Sequence, residues 1–300
     1  MHRLEDDTPE RSLPTLSSVI AAAAAALDRA GVGSPRVDAE LLAAHVLGVT
    51  RARLLTASAG REQIAEIRRL VARRAERIPL QHLTGTAPFY GLELAVGPGV
   101  FVPRFETELL VEWALARLGS AGRVVDLCSG SGAIALAVAT QRPGLQVYCV
   151  ERSKSALTWL RGNVERVAPR VRVIEADVSD DAVLADIAGT ADMVLCNPPY
   201  VPETADVDVE VAQHDPHEAV FAGGDGLDLM PAVARAAARL LRPGGELAVE
   251  HDDTQGASLP DLLRATGDFD EIADHRDLAG RPRFATARRT GGTAWQDGSP

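Results

Sequence analysis

From Gly122 onward the sequence alternates short apolar runs with amphipathic segments, and this alternation constrains the fold more than any other feature. Short apolar runs indicate buried strands, and longer segments with apolar residues every three or four positions indicate helices. Regular alternation of the two predicts a mostly parallel sheet with helices on both faces. The predicted strands are Arg123–Cys128, Gln146–Glu151, Val171–Asp177, Asp192–Cys196 and Glu246–His251, with two more at Asp270–Asp274 and Arg283–Arg288. The predicted helices are Ala133–Thr140, Ser153–Val167, Leu227–Leu241 and Ala257–Thr266.

The part of the chain before Gly122 reads as helices and then as a hairpin. Four helical segments are predicted at Thr15–Ala30, from Pro35 to a stop at Gly48, at residues 50–57 and at Arg61–Arg77. Phe89–Leu94 and Gly99–Val102 flank a Gly-Pro turn, which predicts a β-hairpin. The predicted division is a disordered tail at 1–14, a helical domain at 15–78, a hairpin linker at 79–102, the sheet domain at 103–289 and a disordered tail at 290–300.

Charge and cysteine content limit the function classes. The net charge of -11 argues against a surface that holds nucleic acid without sequence preference. The three cysteines are too scattered for a disulfide framework. The N-terminal residues are charged and polar, unlike a signal peptide, and the apolar run Val19–Leu27 is too short to cross a membrane. We therefore expect a cytoplasmic protein that does not bind membranes.

Two groups of polar residues have alternative interpretations. The helix predicted at Arg61–Arg77 carries arginines opposite its apolar face, namely Arg68, Arg69, Arg73, Arg74 and Arg77. We interpret this face as solvated, with docking of an acidic protein or RNA as the alternative. His214 and His217 lie in an expected long loop, 201–225, which has no cysteine partners, so no metal site is predicted.

The first predicted strand of the sheet ends in a turn that is typical of nucleotide binding. Asp126–Gly132 contains Gly-Ser-Gly directly before a predicted helix, and glycines there let a ligand approach the backbone. Glu151 ends the next strand about twenty residues later, the spacing of an acidic residue that bonds ribose hydroxyls. Asp177 ends the third strand. A tight turn beside two solvated carboxylates is the alternative interpretation.

The fourth predicted strand is followed by Asn197-Pro198-Pro199-Tyr200. Two prolines cannot continue a central strand, so the strand ends here. The loop offers carbonyl oxygens but few N–H groups, and Asn197 adds a side-chain carbonyl. Two acceptors suit an NH2 group held by both of its hydrogens, and Tyr200 supplies a ring for a flat group. A proline-rich strand exit that closes on itself is the alternative.

A dinucleotide site is the first rival for the glycine turn. The turn lacks the third glycine of that motif, but the Ala at position 135 can replace it, so this feature leaves the dinucleotide site open. The Asn-Pro-Pro-Tyr loop favours a methyl donor, because a hydride-transfer site does not need an amine clamp on the fourth strand.

Together these motifs resemble a known family. Asp126–Gly132, Glu151, Asp177 and Asn197–Tyr200, in this order, resemble class I S-adenosylmethionine-dependent methyltransferases. Gly97–Glu108 is similar to the Pro-Arg-Pro-Glu-Thr-Glu signature of the PrmC/HemK family, which consists of release factor glutamine methyltransferases. Asp215-Pro216, Phe221–Leu227 and Glu250 also match that family's layout. The resemblance covers residues 15 to 289.

The resemblance implies a fold, an activity and a partner. The fold would be α/β, a seven-stranded, mostly parallel Rossmann-like methyltransferase sheet with a small N-terminal helical domain and a linking β-hairpin. The activity would be methyl transfer from S-adenosylmethionine to N5 of the glutamine in the Gly-Gly-Gln motif of class I release factors. Asn197 Oδ1 and the Pro198 carbonyl would each accept one N–H of that amide. The helical domain would bind the release factor, and we expect a monomer with no direct contact to nucleic acid.

The same resemblance implies a set of site residues. The implied cofactor-binding residues are Cys128, Ser129, Gly130, Ser131, Gly132, Glu151, Asp177, Val178 and Asn197. The implied substrate-binding residues are Asn197, Pro198, Pro199 and Tyr200, of which Asn197, Pro198 and Tyr200 are the catalytic set. Phe101, Arg104 and Thr107 are candidates to cover the methionine end of the cofactor.

The sequence departs from the family pattern at several positions, and three rivals remain. Cys128 stands where the family usually has a glycine, and Phe105 replaces a proline. Glu151 stands where Asp is common, and residues 251–253 replace a glycine-containing segment. The rivals are an amino methyltransferase acting on adenine or guanine in nucleic acid, a methyltransferase of a ribosomal-protein glutamine, and a cofactor-binding protein without catalysis.

Overall fold

The computed structural model describes residues 13–291, which form two compact units divided between Thr84 and Gly85. Apart from the two residues at each inner end, the tails predicted at 1–14 and 290–300 lie outside the described residues. Each unit has its own hydrophobic core.

The first unit is helical, as the periodicity predicts. Its elements are α1 (Leu16–Arg29), α2 (Pro35–Leu47), a 3-10 turn (Arg51–Leu55), α3 (Arg61–Ala75) and α4 (Leu80–Thr84). The Thr15 side chain caps α1 by accepting from the Ser18 N–H at 3.2 Å, and Gly48 ends α2 in the left-handed conformation. Leu27, Leu42 and Ile67 are fully buried where the three long helices pack together.

One arginine of the predicted solvated face belongs to the core of this unit. Arg74 is only 5% exposed, and its Nε donates to Asp38 Oδ2 at 2.7 Å. A second bond runs from the Arg74 guanidinium to the Ile78 carbonyl at 3.0 Å. Arg68, Arg69 and Arg73 are exposed, as expected. The prediction was wrong for Arg74 because Asp38, far away in sequence, supplies a buried partner.

The buried Arg74–Asp38 pair should be structural. We expect Arg74→Ala to lower the free energy of unfolding by about 3–5 kcal/mol, since it leaves Asp38 buried without its partner. The matched control, Arg73→Ala on the exposed face of the same helix, should change it by less than about 0.5 kcal/mol. Urea unfolding followed by far-UV circular dichroism measures both effects. All tryptophans follow residue 84, so an unchanged tryptophan fluorescence transition would localise the damage to the first unit. Equal effects of the two variants would contradict this assignment.

The second unit contains the predicted sheet. Its strands are β3 (Gly122–Leu127), β4 (Leu145–Glu151), β5 (Arg172–Glu175), β6 (Ala191–Cys196), β7 (Leu241–Glu250), β8 (Phe269–Arg276) and β9 (Pro282–Arg289). Their order in the sheet is β5-β4-β3-β6-β7-β9-β8. Every pairing from β5 to β7 is parallel, and β9 runs antiparallel to both of its neighbours. The seven-stranded, mostly parallel fold is thus confirmed.

Helices cover both faces of the sheet. The helices of this unit are α5 (Thr107–Leu115), α6 (Ala133–Gln141), α7 (Lys154–Val167), α8 (Val209–His214), α9 (His217–Val220), α10 (Met230–Leu240) and α11 (Ser258–Ala265). The first three share one hydrophobic cluster with the sheet, and α10 and α11 share the cluster on the opposite face. The two short helices α8 and α9 lie in the segment predicted to be a long loop.

The hairpin differs from its predicted boundaries. It pairs β1 (Thr86–Phe89) with β2 (Leu92–Ala95), whereas residues 99–102 form no strand. The turn is Tyr90-Gly91, where both residues have positive φ, as a type I′ hairpin turn requires. The prediction failed because it placed this turn inside a strand. The hairpin is tied to the sheet unit by Asn163 on α7, whose Oδ1 accepts from the Ala95 N–H at 2.8 Å and whose Nδ2 donates to the Ala95 carbonyl at 2.9 Å.

Candidate active site

The register of the parallel strands brings four strand ends to one edge of the sheet. Leu127 pairs with both Val150 and Cys196, and Cys196 pairs with Val249. In a parallel sheet of this kind, ligands bind beyond the carboxyl ends of the strands. The residues that follow these paired positions, and so meet at this edge, are Cys128, Glu151, Asn197 and Glu250.

A cleft of about 1000 Å³, counting the space open to solvent, lies at this edge. That volume suits a ligand the size of a nucleoside with a side chain. The predicted site residues that line it are Phe101, Thr107, Cys128, Ser129, Gly130, Ser131, Glu151, Asp177, Val178, Asn197 and Pro199. Arg104, Gly132, Pro198 and Tyr200 are not in its wall. The structure therefore brings most of the predicted residues together in the wall of one cleft.

Glu151 presents a carboxylate to the cleft, and among residues 13–291 no cationic side chain forms an ion pair with it. Its Oε2 accepts from the Gly130 N–H at 2.8 Å and its Oε1 from the Ser153 N–H at 2.7 Å. Each oxygen keeps lone-pair capacity, and an ionised carboxylate can only accept. Two adjacent acceptor oxygens fixed by the backbone suit a vicinal diol, which offers two O–H donors.

The two glycines of the turn have different roles. Gly130 lines the cleft with φ of 55°, and a Cβ there would meet no protein atom within 4 Å, so its missing side chain leaves space to the ligand. Gly132 begins α6 with φ of 86°, and a Cβ there would lie 2.6 Å from Leu160 Cδ1. Gly132 is thus required for the packing of α6 against α7 and does not form part of the cleft wall.

Cys128 adopts the conformation that glycine usually supplies. Its φ is 57°, in the left-handed region that costs an L-residue about 1–2 kcal/mol. The side chain is half-buried and lines the cleft. A side chain at this position is therefore compatible with the positive φ, at a cost in backbone strain.

Removing this strain should stabilise the second unit. We expect Cys128→Gly to raise the free energy of unfolding by about 1 kcal/mol relative to Cys128→Ala, because both variants lack the thiol and only alanine keeps the strained Cβ. Urea denaturation followed by tryptophan fluorescence measures the difference. Identical midpoints for the two variants would show that residue 128 carries no strain.

Asp126 lies beneath the glycine turn as a fully buried carboxyl. Its Oδ2 accepts from the Ala135 N–H at 3.3 Å, and its Oδ1 has no partner in the described part of the chain. Burial, with a smaller contribution from the Glu151 charge, raises the pKa of Asp126 to about 8. The side chain therefore enters the folded protein as the neutral acid over most of the physiological pH range.

This raised pKa makes stability depend on pH. Between its ordinary value and about 8 the folded chain holds a proton that the unfolded chain releases, so the contribution of Asp126 to stability is lost as pH rises. Asp126→Asn cannot ionise. We expect its stability advantage over the wild type to grow between pH 5 and pH 9, with a limiting slope of about 1.4 kcal/mol per pH unit. Asp261→Asn, at an exposed aspartate of the same unit, is the control for urea unfolding across this range. A pH-independent difference between Asp126→Asn and wild type would refute the assignment.

Asp177 faces the cleft but is already engaged. Its Oδ1 accepts from both the N–H and the hydroxyl of Ser179, and its Oδ2 lies 3.2 Å from the Arg152 guanidinium. These hydrogen bonds, led by the Ser179 hydroxyl, lower the pKa of Asp177. The carboxylate thus holds the loop after β5, and the adjacent Val178 supplies apolar wall.

Asn197 belongs to a buried hydrogen-bonded chain. Its Nδ2 donates to Thr107 Oγ1 at 3.1 Å, and Thr107 Oγ1 donates to Glu250 Oε2 at 2.7 Å. The Tyr200 hydroxyl donates to Glu250 Oε1 at 2.9 Å, and its ring packs on the core cluster beneath the cleft. Burial raises the pKa of Glu250, against the opposing effect of these two hydroxyls. Sequence reasoning noted Glu250 without a role and missed its link to Asn197.

Two further side chains, Arg104 and Gln255, hold the loops around the cleft. Arg104 donates to the buried Asp215 at 2.7 Å, and its guanidinium lies 4.9 Å from the Phe101 ring centre. Gln255, buried after β7, donates to the carbonyls of Tyr200 at 2.9 Å and of Asp225 at 2.8 Å. Arg104 therefore supports the wall through Asp215. No sequence pattern pointed to Gln255, because its partners are main-chain carbonyls.

His217, in the segment for which no metal site is predicted, contacts two side chains. His217 Nε2 lies 3.2 Å from Glu203 Oε2, and the centre of its ring lies 4.8 Å from that of the Phe221 ring, with the two planes tilted by 31°. Within residues 13–291, no three His, Cys, Asp or Glu side chains are grouped to hold a metal ion. Over the same residues, no helix combines the length and apolar character of a membrane span.

Comparison with known proteins defines the class first. Residues 92–276 match the family described as methyltransferase small domain, and residues 18–85 match the PrmC N-terminal domain. The structure of a methyltransferase from Pyrococcus furiosus aligns with a TM-score of 0.51 at 16% identity, over 67% of this chain and 90% of that one, which supports the fold alone. The fold and the cleft are therefore those of a methyltransferase.

Close relatives then define the family. The release factor glutamine methyltransferase of Mycolicibacterium smegmatis is 50% identical, over 91% of this chain and 98% of its own length. Its namesake from Streptomyces coelicolor is 48% identical, over 91% and 98%. The chain belongs to the release factor glutamine methyltransferase family.

Proposed function

We propose that this protein transfers a methyl group from S-adenosylmethionine to N5 of the glutamine in the Gly-Gly-Gln motif of class I peptide chain release factors. The observation that carries the proposal is the position of Asn197, which lines the cleft directly after β6 and is followed by two prolines. The names of the relatives support the release factor as partner.

The residues of the cleft fit S-adenosylmethionine. Glu151 would accept from the ribose hydroxyls, and the open space at Gly130 would admit the ligand close to the backbone. The planar adenine ring would lie between apolar side chains such as Val150, Val178 and Leu229, which line the cleft. When bound, this cofactor supplies a methyl group on a sulfonium, which is already electrophilic.

The protein would orient the substrate amide with acceptors. A carboxamide nitrogen is a poor nucleophile because its lone pair is delocalised into the carbonyl. Asn197 Oδ1 and the Pro198 carbonyl would each accept one of its N–H groups, which fixes the nitrogen and raises its electron density. In ideal intramolecular reactions, orientation contributes about 7–11 kcal/mol.

The chain offers few groups for other roles in the reaction. Tyr200 and Glu250 are engaged with each other beneath the cleft, so neither is presented as a base. We assign no side chain as nucleophile, and the proton leaves after the transfer, to solvent. The helical unit would bind the release factor, and the exposed arginines Arg68, Arg69 and Arg73 are its candidate contacts.

Transfer of labelled methyl tests the proposal. We expect label on an intact class I release factor and none on its Gly-Gly-Gln→Gly-Gly-Ala variant. Asn197→Ala should lower kcat by about 100-fold or more, because one oriented hydrogen-bonding group is lost. Because Asn197 is also one of the implied cofactor-binding residues and lines the cleft, calorimetric titration of the variant with S-adenosylmethionine separates a loss of methyl transfer from a loss of cofactor binding.

Alternative substrates test the rival functions in the same assay. Duplex DNA, tRNA and ribosomal proteins are offered alongside the release factor. Label on nucleic acid or on a ribosomal-protein glutamine would replace the proposed substrate and keep the amide or amine clamp. Cofactor binding without transfer to any of them would favour a binding protein without catalysis.

A further inference from the structure

The hydrogen bonds from Asn197 to Thr107 and from Thr107 to Glu250 connect three elements that are remote in sequence. Thr107 is the first residue of α5, Asn197 follows β6, and Glu250 ends β7. Thr107 is 3% exposed and Glu250 is 1% exposed, so water does not compete for their hydrogen bonds. In such a dry site each donor needs a defined acceptor, and a polar network has few alternative arrangements.

The available hydroxyl protons determine which atom donates and which accepts in each of these hydrogen bonds. The Thr107 hydroxyl donates its single proton to Glu250 Oε2 at 2.7 Å, and a carboxylate in its ionised form can only accept. The Tyr200 hydroxyl uses its proton on the other carboxylate oxygen. Thr107 Oγ1 is then left with lone pairs only, and the Asn197 atom 3.1 Å away must be the NH2 group. This assignment follows from the chemistry of the partners, independently of how the two ends of the carboxamide are drawn.

We propose that Thr107 and Glu250 are positioning residues that hold the Asn197 carboxamide in one of its two orientations, with Nδ2 on Thr107 and Oδ1 left for the substrate amide. The proposal rests on the proposed function, since it concerns the same clamp. It changes the expected role of Thr107, which the sequence suggested as a cover for the methionine end of the cofactor.

The orientation matters because the clamp must accept and not donate. A carboxamide turned by half a revolution would present N–H groups to the N–H groups of the substrate. The acceptor would be lost and two donors would face each other in a largely dry site. An unsatisfied buried donor costs about 1–3 kcal/mol, or roughly 5-fold to 150-fold in rate if it arises in the transition state. Holding the correct orientation beforehand avoids that cost at each turnover.

The simpler interpretation is a structural network that only attaches α5 to the sheet. The two interpretations differ in what a loss of the Thr107 hydroxyl would do. A structural network would lower stability and leave the chemistry of the folded enzyme unchanged. A positioning network would lower kcat in a protein that remains folded and binds S-adenosylmethionine normally.

Substitution of Thr107 by valine is the main test, because valine keeps the shape and removes the hydroxyl. We expect Thr107→Val to lower kcat for release factor methylation by roughly 5-fold to 150-fold. The KM for S-adenosylmethionine and its dissociation constant should change by less than about threefold. Thr107→Ser keeps the hydroxyl and should recover most of the lost kcat. The matched control is Thr140→Val, at a half-buried threonine of α6 whose hydroxyl bonds the Leu136 carbonyl at 2.8 Å outside the cleft, and it should leave kcat unchanged.

A second measurement does not depend on any substrate. Asn163 and Asn197 are the two asparagines of the chain, so selective 15N labelling of asparagine side chains gives two amide pairs in an NMR spectrum. Asn197→Ala identifies which pair belongs to Asn197, and Asn163 serves as the internal reference. We expect one proton of the Asn197 pair to move upfield in Thr107→Val, as it loses its acceptor, and to return toward its wild-type position in Thr107→Ser.

The outcomes separate this inference from the proposed function. Loss of kcat in Thr107→Val with its recovery in Thr107→Ser, together with the amide shift, supports the positioning of Asn197 by Thr107 and Glu250. Equal kcat in Thr107→Val and Thr140→Val, a loss confined to S-adenosylmethionine affinity, or an unmoved Asn197 amide pair would overturn it. If the wild type transfers no methyl to a release factor, the proposed substrate is wrong. The NMR result alone then decides whether Thr107 holds the Asn197 carboxamide in one orientation.

Discussion

The candidate active site depends on the register between parallel strands. Leu127 is opposite both Val150 and Cys196, and Cys196 is opposite Val249, so four strands end at one level. A shift of one residue in any pairing would turn the terminal side chain of that strand to the other face. The register is held by mostly apolar strands that are buried over most of their length, such as β3 and β6. The core therefore determines which polar groups meet at the edge.

Once polar groups meet at a buried edge, they require partners, and these come from elements outside the strands. Asn163 on α7 accepts and donates at Ala95 and also donates to the Ser131 carbonyl, which joins the hairpin to the glycine turn. Two side chains also hold the loop that contains Tyr200. Gln255 donates to the Tyr200 carbonyl, and Glu250 accepts from the Tyr200 hydroxyl. Satisfied networks of this kind are rigid, because each broken bond leaves a buried group unpaired. The loops of the cleft are thus ordered by polar contacts, and the sheet by apolar ones.

The sequence predicted what local chemistry determines and missed what distant residues determine. Strand and helix alternation, the proline stop at 198 and the glycine turn are written in adjacent residues, and the structure has all of them. The burial of Arg74 depends on Asp38, and the position of Tyr200 beneath the cleft depends on Glu250. The hairpin was misplaced because a positive φ at Tyr90 is not visible as a turn residue. The misses at Arg74 and Tyr200 each involve a partner that only the folded chain supplies.

The turn after β3 shows how a signature residue can change while its geometry remains. Cys128 keeps a left-handed φ because its neighbours fix the backbone on both sides. The Ser129 N–H donates to the Val150 carbonyl at 3.1 Å, the Gly130 N–H donates to Glu151, and the Gly132 N–H donates to the Ser129 carbonyl at 2.7 Å. A strained residue persists where surrounding bonds over-determine its conformation. The turn thus keeps its open space at Gly130, where a Cβ would meet no protein atom within 4 Å, although residue 128 carries a side chain.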